Sequence, residues 1–223
     1  MRRPIIKCIV VVAVIFGAST LASQMKTASQ RYIVIDALGR SVSFELPPQR
    51  IVLTGKAFFM IADALYLFPG VGERIVAMGT FSQGLTNFVS FVDPNAAAKT
   101  VLKPDASVEQ IAAFHPDVVI LKSSLADQLG TTIEVLGIPV VYVELETPEQ
   151  YVRDLRILGA VLGQSARAEE LVHYYQQGIE RIQVATQEVT ARQKPRVLML
   201  NYSDKDGIVA FQVPPLNWMQ THL

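Results

Sequence analysis

The chain has 223 residues, of which 20 are Lys or Arg and 20 Asp or Glu; half are apolar, and 13 are Gly and 12 Pro. That balance fits a packed globular protein and excludes the biased composition of a disordered one. Setting aside Arg2, Arg3 and Lys7 leaves the remainder mildly acidic, without the clustered positive charge that a nucleic-acid partner requires.

Those three cations precede an uncharged apolar run from Cys8 to Ala18, and small residues follow in Ser19-Thr20-Leu21-Ala22-Ser23. This is the order of a secretory signal, assigned to residues 1–23. The run is shorter than the roughly 20 residues that cross a bilayer as a helix, so cleavage is expected in place of anchoring. Cys8, the only cysteine, opens the run instead of following it. Lipid attachment therefore has no visible acceptor, and the exported chain carries no disulfide.

Tyr32-Ile33-Val34-Ile35 and Ser41-Val42-Ser43-Phe44, around Asp36-Ala37-Leu38-Gly39-Arg40, read as a β-hairpin. Pro47 and Pro48 stop it, and Arg50-Ile51-Val52-Leu53 forms a buried strand leading to Thr54-Gly55-Lys56. A helix is expected over 57–67, ended by Pro69-Gly70. The strand Ile75-Val76-Ala77-Met78 follows, with the loop Gly79-Thr80-Phe81-Ser82-Gln83-Gly84 and a polar, partly helical stretch to Lys103. Ser107 caps an amphipathic helix reaching Phe114, and His115-Pro116-Asp117 closes it. Val118-Val119-Ile120-Leu121 and Val140-Val141-Tyr142-Val143 are continuous apolar strands around a helix near 126–136. Such strands separated by helices predict a parallel sheet covered on both faces, so the fold class is α/β with a Rossmann-like first lobe over 31–163.

Thr147-Pro148-Glu149 has the order of a helix start, predicting a helix from Pro148 to Leu162 with Gly163 at its end. From Ser165 to Arg192 the apolar positions Leu171, Tyr175, Ile179, Ile182 and Val189 predict one long helix, a connecting rod of about 40 Å at the α-helical rise. Pro195 breaks it, and Arg196-Val197-Leu198-Met199-Leu200 reads as a new strand.

In open parallel sheets ligands bind outside the C-terminal strand ends. Those ends carry Lys56 with Phe58 and Phe59, then Phe81, Ser82 and Gln83, then Lys122 and Ser123, then Glu144. Aromatic faces suit a flat or greasy ligand, and lysines suit its carboxylates or phenolates. Against these readings, a phenylalanine at a helix start is often core and a loop lysine often only solvated.

Asp36-Ala37-Leu38-Gly39-Arg40-Ser41-Val42, then Pro48-Gln49-Arg50-Ile51-Val52, resemble the opening of the siderophore, haem and cobalamin periplasmic binding proteins of ABC importers. Glu109 to Ile120 resembles their E-x-I-A-A-L-K-P-D-L-V-I segment, and Leu136-Gly137-Ile138-Pro139-Val140 their L-G-I-P-V segment. The resemblance covers roughly residues 31–218. It implies two α/β lobes joined by a backbone helix, here 164–194, with the ligand held between them, and a second lobe starting within 195–223. Since such a lobe normally runs on for about a hundred residues, a truncated or split product is expected. The same resemblance implies an exported, non-enzymatic solute-binding protein that captures a metal chelate or corrinoid ligand and meets the membrane through an ABC permease. Many members place a permease-docking glutamate near Met60; here Asp63, one turn on, is the substitute, with a solvated helix charge as the alternative.

The histidines of the mature chain are His115, His173 and His222, too scattered to hold a metal ion. Gly70-Val71-Gly72 precedes a strand, contrary to a dinucleotide loop, and neither a nucleophile elbow nor a phosphate loop is present. No cofactor is expected. Three rivals remain: an interaction module that binds no small molecule, a direct metal-ion binding protein, which the scattered histidines disfavour, and a chelatase-like enzyme subunit, which the export signal disfavours.

Overall fold

Runs of Val, Ile and Leu with no polar alternation have to bury both faces of a strand, and short helical connections let consecutive strands lie parallel. A computed structural model, which describes residues 31–80, 88–103, 105–190, 192–198, 200–205 and 207–213, has this arrangement. The chain divides into Met1–Arg31 and Tyr32–Leu223, and every element below belongs to the second unit. The segment read as a signal, residues 1–23, lies outside the described residues.

Strands β1 (Tyr32–Ile35) and β2 (Ser41–Phe44) form the antiparallel hairpin. Next come β3 (Ile51–Leu53), α1 (Phe58–Leu65), α2 (Val71–Arg74), β4 (Ile75–Gly79), α3 (Val89–Val92) and β5 (Thr100–Leu102). They are followed by α4 (Val108–Ala112), β6 (Val118–Lys122), α5 (Thr131–Val135), β7 (Val140–Val143), α6 (Pro148–Leu162) and α7 (Ser165–Thr186). Strands β3 to β7 make one parallel sheet in the order β5-β4-β3-β6-β7. A separate antiparallel pair, β8 (Asn201–Lys205) and β9 (Ile208–Gln212), follows.

The period of two along each strand sorts the core into two layers. Ile51, Leu53, Val118, Ile120, Val141 and Val143 face α1, α6, the start of α7 and the hairpin. Val52, Val119, Leu121, Val140 and Tyr142 face Ile111 of α4 and Ile133 of α5. Helix starts follow the expected chemistry. Ser107 with Gln110, and Thr147 with Gln150, each complete a reciprocal capping box, and Pro148 occupies the first turn of α6.

The hairpin turn is a clasp on the edge strand β7. Buried Asp36 accepts from the Leu38 and Arg40 amides at 3.0 Å and from the Arg40 guanidinium. Arg40 also donates to Glu134 at 2.6 Å and to the Val140 carbonyl at 2.9 Å, and lies 4.2 Å over the Tyr142 ring. The Ala37 amide donates to the Tyr142 carbonyl, so the turn covers a sheet edge that would otherwise be open. Desolvation pulls the Arg40 guanidinium down, and Glu134 and Asp36 together outweigh it and raise it. Because Arg40 is one-third exposed, its ion pairs are partly screened. Arg40→Met is expected to cost about 1–2 kcal/mol, read as a lower urea midpoint at unchanged slope.

A second clasp joins α1 to the segment before β5. Asp93 accepts from the Tyr66 hydroxyl at 2.7 Å and the Asn95 amide at 2.8 Å, and pairs with Lys99 at 3.1 Å. Burial acts to raise the Asp93 carboxyl; these three partners outweigh it and hold it low, while burial and the nearby carboxylate push the Tyr66 hydroxyl up.

Three elements differ from expectation. The stretch read as polar and partly helical contains a strand, β5, whose three residues pair with β4. The long helix ends at Thr186, not Arg192, giving about 33 Å at the α-helical rise. Its stripe is covered only at the start: Leu171 is buried, whereas Ile182 is 65 % exposed. The strand expected at 196–200 does not form; residues 196–198 and 200 take no regular structure, and the pairing begins at Asn201.

Candidate functional site

All five parallel strands end on one side, and the connections leaving β3 and β6 depart in opposite directions along the sheet. The gap between those two strand ends is the topological switch point, where diverging loops leave room for a ligand. Gly55 and Ala57 of the β3–α1 loop both take left-handed conformations, φ 81° and 59°. The Gly55 backbone lies so close to Leu125 that a Cβ there would sit 2.4 Å from its Cδ1. Glycine is what lets the two loops meet.

On the β4 side of this gap lies a cavity of about 250 Å³ lined by Thr54, Gly55, Lys56, Ala57, Phe58, Phe59, Gly79, Thr80 and Lys103. Lys56 is exposed at its mouth and Phe59 half-buried. Phe58 touches the cavity but belongs to the core, 4 % exposed, with its ring against Gly79. The Thr80 hydroxyl donates to the Leu102 carbonyl at 3.0 Å and ties the ends of β4 and β5 together. That tie puts Lys103, absent from the sequence-based set, on the wall of the same cavity as Lys56. Thr100-Val101-Leu102, a β-rich triplet running into Lys103, was the signal available for it.

On the β7 side, Lys122, Ser123 and Glu144 come together in one polar network. Lys122 continues the Val118–Ile120 row towards α1, and its ammonium donates to the Glu144 carbonyl, to Glu146 Oε1 at 2.6 Å and to Met60 Sδ at 3.7 Å. An ammonium has three protons, and all three are used. Lys122, one of the candidate ligand contacts in the sequence, is buried and saturated here, a strut between α1 and the β7–α6 loop. Ser123 donates to Glu144 Oε1 at 3.2 Å, and Arg153 to Glu144 Oε2 and Asp154 Oδ1, both at 2.7 Å. Asp154, first among these partners, and Glu144 raise the Arg153 guanidinium against its partial desolvation. Asp154, completely buried, accepts the Glu144 and Leu145 amides at 2.6 and 2.8 Å and so holds Leu145 at φ 58°.

Phe81, Ser82 and Gln83 lie outside the described residues. Asp63 is on the outer side of α1 with no ion pair among the described residues. Its carboxyl is raised by desolvation, and its charge raises the nearby Tyr151 hydroxyl of α6, after that group's own desolvation and Tyr175. Among the described residues there is no group of three or more His, Cys, Asp or Glu placed to hold a metal ion, and no helix long and apolar enough to cross a membrane.

A switch-point cavity on a parallel five-stranded sheet, followed by a long helix, is one arrangement shared by many binding folds. The family model for periplasmic binding proteins matches residues 51–214. The chain belongs to the periplasmic binding protein family. Solved structures of similar fold include the TroA-like periplasmic binding protein FepB of Veillonella parvula, at 22 % identity and TM-score 0.59, matching 74 % of this chain and 51 % of that one. An ABC-type Fe3+-hydroxamate transport system protein of Saccharomonospora viridis matches at 22 % identity and TM-score 0.55, over 70 % and 57 % of the two chains. IsdE of S. aureus, complexed with heme, matches at 22 % and 0.50, over 68 % and 54 %. At such identities the likeness carries the fold. This periplasmic binding protein chain spans about half the length of those structures. No curated protein matches its sequence.

Proposed function

We propose that this chain supplies the first lobe of an extracytoplasmic solute-binding protein, which captures an iron-siderophore, haem or cobalamin-like ligand and delivers it to an ABC permease. The observation that carries the reading is the cavity at the C-terminal ends of β3 and β4, flanked by the Lys122–Glu144 network, in a chain matched by the binding-protein family over residues 51–214. The fold relatives named for Fe3+-hydroxamate transport and for a heme complex support the ligand class. In this reading residues 1–23 are the export signal, 31–163 the first lobe, 164–194 the backbone segment built on α7, and 195–223 the entry to a second lobe. Asp63 is the permease-docking carboxylate.

Intrinsic fluorescence of the protein at its full natural length, titrated with a ferric trihydroxamate, ferric citrate, haem and cyanocobalamin, tests this. At least one is expected to bind at micromolar concentration or below. If none binds below millimolar, the solute-binding reading fails.

One observation favours a second reading, an interaction module that binds no small molecule. Ile182 and Val184 of α7 and Tyr202, Ile208 and Phe211 of the β8–β9 pair are large apolar residues more than half exposed, as a surface awaiting a protein partner is. Silent titrations together with a dimer or complex in light scattering would favour it.

A further inference from the structure

The end of the sheet that carries the cavity is not uniformly charged. On the β7 side the cations are consumed internally: Lys122 by Glu146 and the Glu144 carbonyl, Arg153 by Asp154 and Glu144. Lys99, behind β5, is consumed by Asp93. The two lysines that line the cavity, Lys56 and Lys103, are different. Both are exposed, and neither has an ion-pair partner among the described residues. Among the described residues none that lines the cavity is acidic.

We infer that the ligand enters this cavity with ionised oxygens, carboxylate or catecholate, on its leading face, and that Lys56 and Lys103 hold them. The inference rests on the solute-binding reading and narrows it from metal chelates in general to anionic ones. Two lysines line one small cavity, so an anion entering it can accept a charge-assisted hydrogen bond from each. Both side chains are exposed and without an internal ion-pair partner among the described residues, so unlike those of Lys122 their protons are available to a ligand, at the cost of the water each sheds on binding. The half-buried ring of Phe59 on the same wall offers a face for a planar ligand. The Thr80 tie to Leu102 fixes the β5 end that Lys103 follows. A neutral trihydroxamate or a net-neutral cobalamin brings no net negative charge for the lysines to neutralise and so gains less from them.

The test uses the protein at its full natural length and five probes: ferric citrate, a ferric tris-catecholate, haem, a neutral ferric trihydroxamate and cyanocobalamin. At least one anionic probe is expected to bind ten-fold or more tightly than both neutral ones, and to weaken as salt rises. Lys56→Gln and Lys103→Gln are each expected to weaken the anionic probe about ten-fold, the double substitution more, with the far-UV spectrum unchanged because both lysines are exposed. Which anion binds tightest separates carboxylate, catecholate and propionate sources. If a neutral probe binds as tightly as every anion, or if both lysine variants bind the anion like the parent, the anionic inference falls while the solute-binding reading stands. If no probe binds, the solute-binding reading falls and takes this inference with it.

Discussion

Asp154→Ala is expected to lower the unfolding free energy by about 4 kcal/mol, the largest effect among the polar substitutions considered. Asp154 is completely buried and accepts the Glu144 and Leu145 amides while pairing with Arg153. Removing the carboxylate strands two amides in a dry site, at about 1–3 kcal/mol each. It also releases Leu145, whose φ of 58° persists only while its surroundings impose it. Asp154→Asn keeps one acceptor oxygen and is expected to cost about half as much. Adding Leu145→Gly to Asp154→Ala separates strain from lost hydrogen bonds, because glycine takes φ > 0 without penalty. Urea melts of the four proteins measure this. A loss under 1 kcal/mol for Asp154→Ala means that water replaces the carboxylate, and that this loop is not held from below as described.

What was legible in the sequence follows the reach of the forces involved. The strands β3, β6 up to Leu121, and β7 show as unbroken apolar runs rich in Val and Ile, because their burial on both faces is a local property of composition. Helix α6 shows at both ends, since Thr147, Pro148 and Gly163 act within one turn of themselves. Strand β5 does not show, because Thr100–Leu102 becomes a strand by pairing with Ala77–Gly79, more than twenty residues away. Lys103 was missed with it. The end of α7 was overestimated because the apolar spacing continues to Val189, whereas buried residues stop at Val172; helices are sustained mainly by packing, not by pattern. Lys122, Ser123 and Glu144 were placed at the right end of the sheet from chain order alone. That Lys122 is saturated depends on Met60 and Glu146, partners its own segment cannot announce.

The direction of α7 depends on one missing methyl group, and Gly159→Ala is expected to destabilise by about 2–3 kcal/mol even though alanine is the better helix former by about 1 kcal/mol. Gly159 lies in the last full turn of α6, and after Gly163 reverses the chain at φ 69° the first turns of α7 fold back over it. A Cβ on residue 159 would sit 2.4 Å from Ala168 Cβ, 3.2 Å from the Gln164 carbonyl and 3.4 Å from the Phe68 ring. Carbon atoms pack best at about 3.5–4.0 Å, so the first contact demands that α7 move by more than an ångström. Neither a methyl group nor a backbone carbonyl can rotate away. Ala168→Gly removes the nearest atom, so a double-mutant cycle should give a favourable coupling of about 1 kcal/mol or more between the two substitutions. Additive costs would show that the helices do not meet through this pair. Because everything after residue 165 is carried by α7, tilting the helix at this elbow would re-aim its exposed stripe of Ile182 and Val184 while leaving the cavity at β3 and β4 untouched. Gly159→Ala should therefore spare contacts made by Lys56 and Lys103 and weaken any binding that needs a partner surface placed by the long helix.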